Sequence, residues 1–216
     1  MLPVKFAPVL GREAAGSARP LREILAQPTT IVAMAAGMLG YGVMVFVMTA
    51  TPLAMNICGY DFDQSASVIS VHAVAMFLPS FFTGHVIRWL GELKVMALGV
   101  VAYAGTMVIG LHGISLPHFW ISLILLGFGW NALYVAGTSL LTKCYRPSEA
   151  PKMQALNDCL IFTSVAICSL IAGMIEHQAG WSWVLIWTGV PVALIAAALL
   201  WGWSRQAPAK AVMGES

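Results

Sequence analysis

Of the 216 residues, 59% are hydrophobic and 9% are charged, where an ordinary soluble domain is about 25% charged. No soluble fold of this length hides so much apolar surface, so the chain reads as an all-α membrane protein. Nothing in it suggests a nucleic-acid partner, and the net charge of +2 matters less than where the charges sit.

The first 28 residues carry Lys5, Arg12, Arg19 and Arg22 and lack the compact apolar core of a signal peptide. They read as a cytoplasmic lead-in, with a short helix around Leu21–Ala26. Long stretches free of Asp, Glu, Lys and Arg follow, and each spanning helix needs about 20 apolar residues. They predict six helices, over residues 29–55, 63–87, 94–111, 117–142, 153–176 and 181–204. The third and fourth are separated by the polar turn from His112 to His118, which contains Gly113 and Pro117. Residues 29–204 thus form a transmembrane bundle and residues 205–216 a cytoplasmic tail.

The remaining basic residues fall in alternate connections: Arg88 and Lys94, then Lys143, Arg146 and Lys152, then Arg205 and Lys210. The opposite side carries Asp61, Asp63 and Glu176. The positive-inside rule therefore places both termini in the cytoplasm of a multi-pass protein of the cell inner membrane.

Met44 and Met48 in the first helix, and His72 and Met76 in the second, are each one helical turn apart. Thioether and imidazole are soft ligands that suit Cu(I). At about 1.5 Å per residue, Met44 and His72 share a depth ~4–5 Å outside the midplane. Met55 continues the methionine stripe toward the outer mouth. Cys58 could receive the ion on entry and Cys144 on exit, because thiols are also soft. The plain alternative for each methionine is packing. Pro79 should free the carbonyl of Ala75 and bend the second helix.

Asp158, near the inner end of the fifth helix, reads either as a coupling carboxylate or as helix-start electrostatics paired with Arg146 or Lys152. Trp130 and Asn131 either line a cavity or bond between helices. The four cysteines have no close spacing that suggests a disulfide scaffold or zinc site. No Walker loop is present and no catalytic constellation is visible, so an enzyme is not expected.

Arg19-Pro20-Leu21-Arg22-Glu23-Ile24-Leu25 and the segment from Gly84 to Lys94 resemble the central loop and the short loop motif of the major facilitator superfamily. In the second segment Arg88 stands where the motif has Asp. Met48 to Met55, His72 to Gly84, Gly129-Trp130-Asn131 and Gln154 to Asp158 resemble the bacterial copper-importer branch of that superfamily. The resemblance implies the carboxy-terminal six-helix half of its fold. It also implies Met44, Met48, His72 and Met76 as ligands of Cu(I), which would be cargo rather than a prosthetic group. The expected function is Cu(I) uptake by alternating access, with Met55, Met48 and Met44 passing the ion to His72 and Met76. The alternative is transport of a small organic solute or drug, bound by Trp130, Asn131, Tyr134 and Tyr41. A non-transporting assembly subunit is a third reading. The family has twelve helices, so the expected partner is a second six-helix half, either another chain or a second copy.

Overall fold

The computed structural model describes residues 19–212, with side chains as far as Arg205. Residues 1–18 of the expected lead-in and the last four tail residues lie outside that range. All regular structure among the described residues is helical: α1 (Leu21–Leu25), α2 (Pro28–Ile57), α3 (Phe62–Phe77), α4 (Ser80–Leu90), α5 (Glu92–His112), α6 (Leu116–Thr142), α7 (Ala150–Ala179) and α8 (Trp181–Val212). Five of these are long and apolar enough to cross a membrane, and α3 with α4 makes a sixth span if counted as one.

The second span is not the single helix expected over residues 63–87. It breaks after Phe77, and its halves meet at 42°. Pro79 is the cause, because its ring removes the amide donor that an uninterrupted helix would use there. At the far end, α8 runs on through residues expected to be tail.

Local chemistry sets the remaining boundaries. Pro28 occupies the first position of α2, where a missing amide costs nothing. Asp61 caps α3: its carboxylate accepts from Gln64 N at 2.7 Å, and Gln64 Oε1 accepts from Asp61 N at 3.1 Å. Gly91 and Gly180 turn the chain between helices at φ +84° and +82°, conformations that L side chains rarely adopt.

Packing centres on α2 and α6, the two most enclosed spans. Lipid tails are as apolar as leucine, so helices associate through close backbone approach and hydrogen bonds rather than hydrophobicity. The seam of α6 shows this. A Cβ on Gly127 would lie 2.9 Å from the His72 carbonyl and the Met76 amide of α3, and one on Gly129 would lie 2.4 Å from the Tyr103 ring of α5. Hydrogen bonds follow the same contacts. Thr106 and Ser122 exchange bonds reciprocally between α5 and α6, each hydroxyl donating to the other's carbonyl at 3.2 and 3.0 Å. The Tyr103 hydroxyl donates to Gly40 O on α2 at 2.6 Å.

At the end where α2 begins, Arg19 reaches Glu149, just ahead of α7. The guanidinium donates to both carboxylate oxygens at 2.9 Å, and the Arg19 amide adds a third bond at 2.9 Å. Arg146 N donates to the same carboxylate at 2.8 Å. These donors, the Arg19 side chain first, hold the Glu149 carboxyl well below the usual carboxylate range. Lys143 and Glu92 form a second ion pair at this end.

Gly127→Ala should separate α3 from α6 and cost about 1–3 kcal/mol, seen as a lower melting temperature in detergent. Gly173→Ala, with nothing within 4 Å of its Cβ, should leave melting unchanged or raised. A carboxylate depressed on folding stabilises fully above its ordinary value of 4.5 and stops doing so as pH falls through the folded value. The melting difference between wild type and Glu149→Gln should therefore hold from about pH 8 to about pH 5 and shrink only in stronger acid.

Candidate functional site

The chemistry-bearing residues converge where α2, α3 and α6 meet. Tyr41 of α2 sets its ring edge against Trp130 and Tyr134 of α6, with centroids 5.4 and 5.5 Å apart. Trp130 and Tyr134, four residues apart on one helical face, stack at 5.1 Å and 9°. Phe77, the last residue of α3, completes the group edge-on to Trp130 at 5.9 Å. Trp130 is buried, Tyr41 and Tyr134 are half-buried and Phe77 is exposed. The cluster therefore has a packed floor and an open side. Asp158, exposed on α7, lies within electrostatic reach of the Tyr134 phenol. No ion pair of Asp158 with Arg146 or Lys152 occurs among the described residues.

Asn131 sits beside the cluster but is fully engaged. Its amide donates to Met76 O at 2.8 Å and to Ser80 Oγ at 2.6 Å, and its carbonyl accepts from the Thr83 hydroxyl at 2.6 Å. These bonds bridge the break between α3 and α4, so Asn131 acts as a structural clamp between helices.

His72 is 1% exposed. Its Nδ1 lies 2.8 Å from Leu123 O on α6. A carbonyl only accepts, so Nδ1 carries the proton, and in the neutral ring Nε2 holds a lone pair. That Nε2 is buried and has no partner, as is the indole Nε1 of Trp130. Neither orphan could be read from the sequence, because both depend on how α3 lies against α6.

The methionines occupy the packed interior. Met44, Met55 and Met76 belong to the buried core, Met48 packs against it, and Met55 is 0% exposed. Met55 is thus enclosed rather than facing an outer mouth, because its helix face turns toward the bundle. Cys58 follows α2 and Cys144 follows α6, at opposite ends of the bundle. Burial pushes the Cys144 thiol up, and desolvation followed by the charge of Glu176 pushes Cys58 up. Both shifts reduce the thiolate that binds metal. Among the described residues, no group of three His, Cys, Asp or Glu side chains could hold a metal ion. A largely apolar crevice of about 220 Å³ lies between α2, α7 and α8, lined by Gly42, Phe46, Ser164, Cys168 and Trp187 among others, and none of the four clustered rings lines it.

The profile of the Major Facilitator Superfamily matches residues 12–214. The chain is 44% identical over 183 residues to the riboflavin transporter RfnT of Brucella anthropi, covering 84% of this chain and 46% of the relative. It is 31% and 30% identical to the uncharacterized MFS-type transporters YdeG and YddS of Bacillus subtilis, covering 76% of this chain and 38% of each relative. The chain thus spans less than half the length of these relatives. The 44% relative is named for riboflavin rather than copper, and this corrects the expected place in the copper-importer branch. The organic-solute reading fits the comparison better.

Asn131→Leu should strip the break of its donors and leave Met76 O and Ser80 without their partner. A loss of about 1–3 kcal/mol per orphaned buried group is expected, read as a lower melting temperature. Asn131→Asp should recover little of it, because a carboxylate cannot donate.

Proposed function

Because this chain belongs to the major facilitator superfamily, we propose that it moves a small organic solute with a flat aromatic ring system across the bacterial inner membrane. The solute is a flavin or a close analogue. The cluster of Tyr41, Trp130, Tyr134 and Phe77 carries this reading. Stacked and edge-on rings at 5.1–5.9 Å offer the faces and edges on which a planar heterocycle packs. The flavin chemistry comes from the RfnT relative. Ring stacking on Trp130 and Tyr41 supplies affinity, and the open side beside Phe77 admits the ligand. Asp158, exposed beside Tyr134, is the group proposed to couple transport to a proton. Both termini face the cytoplasm, as the basic connections require, and a second six-helix unit completes the pathway.

A second reading, Cu(I) transport through Met44, Met48, His72 and Met76, keeps one specific support. An imidazole whose Nδ1–H is anchored on a carbonyl and whose Nε2 is unoccupied has the arrangement that metal-binding histidines use. Uptake assays separate the two. Under the flavin reading, Trp130→Ala and Tyr41→Ala each lower riboflavin uptake by about two- to tenfold, from stacking worth about 0.5–1.5 kcal/mol per pair, and Met44→Leu leaves it intact. Under the copper reading, Met44→Leu abolishes Cu(I) accumulation and the ring variants spare it.

A further inference from the structure

The ring cluster accounts for the faces of a flat ligand but not for its edges. We propose that His72 Nε2 and Trp130 Nε1 read those edges: Nε2 accepts from a ligand N–H, and Nε1 donates to a ligand carbonyl or ring nitrogen. The substrate class is then a planar heterocycle with a lactam or imide edge, such as the isoalloxazine ring. This inference rests on the organic-solute reading above.

Burial is the first argument. Six buried side-chain polar atoms lack a partner among the described residues, and such atoms are costly enough that each calls for an explanation. Thr30 and Trp120 lie in the opening turns of α2 and α6. Ser148 lies in the connection after α6, and Glu176 near the end of α7. Only His72 Nε2 and Trp130 Nε1 lie well inside their spans. One is an acceptor and the other a donor.

Position is the second argument. His72 bonds to Leu123, and Trp130 stands seven residues further along the same helix, about 10 Å at 1.5 Å per residue. Seven residues make two turns, so Leu123 and Trp130 share one face of α6. The imidazole ring turns Nε2 away from Leu123 once Nδ1 is seated there. Trp130 is already the ring that touches Tyr41, Tyr134 and Phe77.

Elimination is the third argument. Several buried polar side chains around these two atoms are already engaged. Asn131 is held by Met76, Ser80 and Thr83. Ser122 and Thr106 serve each other, Thr51 donates to Val47 O, and Tyr103 donates to Gly40 O.

The test compares riboflavin with its derivative methylated on the imide nitrogen, which keeps the ring faces and removes the N–H. Binding is followed by quenching of flavin fluorescence in membranes carrying the chain. Wild type should bind riboflavin at least about tenfold tighter than the methylated ring, the effect of one lost buried hydrogen bond. His72→Phe should weaken riboflavin to the level of the derivative and leave the derivative unchanged. His72→Gln, which restores an acceptor, should recover part of the difference. Equal binding of the two rings by wild type, with Tyr41→Ala still weakening both, overturns this assignment and leaves the organic-solute reading standing. No saturable binding of either ring overturns both. The wild-type comparison needs no variant to fold.

Discussion

A proline in the middle of a membrane-crossing helix removes a donor where no water can replace it. Pro79 does this, and the surrounding architecture is organised around the answer. In hydrocarbon, each open backbone group must be satisfied by protein. Asn131, on the adjacent helix, offers two N–H donors and one carbonyl, and it uses them beside the break, on Met76 O, one residue past the carbonyl that Pro79 frees, and on Ser80 and Thr83. A second-span kink of 42° is thereby held in one geometry. The kink in turn brings Phe77 to the edge of Trp130, the residue preceding the clamp. The same short stretch of α6 therefore holds the bend and presents the ring cluster.

That arrangement requires α6 to approach its neighbours closely. Gly127 admits the backbone of α3 and Gly129 admits the Tyr103 ring of α5. The bond of His72 to Leu123 O and the bonds of Asn131 depend on the same proximity. Glycine on α6 thus acts on the polar groups as much as on the packing. It sets the distance at which side chains on α3 find partners on α6, and at which two atoms, His72 Nε2 and Trp130 Nε1, do not.

Much of the architecture was legible in the sequence, because charge-free stretches of about 20 residues have one physical outcome in a bilayer. The bend at Pro79 was legible from its missing amide, although not that it divides the span into two helices meeting at 42°. Tyr41, Trp130 and Tyr134 could be named as candidates, but their mutual stacking depends on the register of α2 against α6. Asn131 reads equally as a cavity residue or a clamp until its three partners are seen. The methionine ladder shows the limit from the other side. Spacing put three sulfurs, those of Met44, Met48 and Met55, on one stripe, and that stripe turned toward the packed interior, where methionine is also an ordinary filler. The resemblance to the copper-importer branch was carried by four short strings, from Met48, His72, Gly129 and Gln154 onward, whereas the relative that is 44% identical over 183 residues is named for riboflavin.

The Arg19–Glu149 pair has a mechanical consequence. It ties the approach to α2 to the head of α7, so these two packed helices are pinned together at one end of the bundle. Any displacement of α7 against α2 that keeps the pair is a swing about that end, and its amplitude grows with distance from the pin. Gly42 faces Ser164 and Cys168 further along the lever, so the wider part of the swing falls toward Ile57 and Ala179.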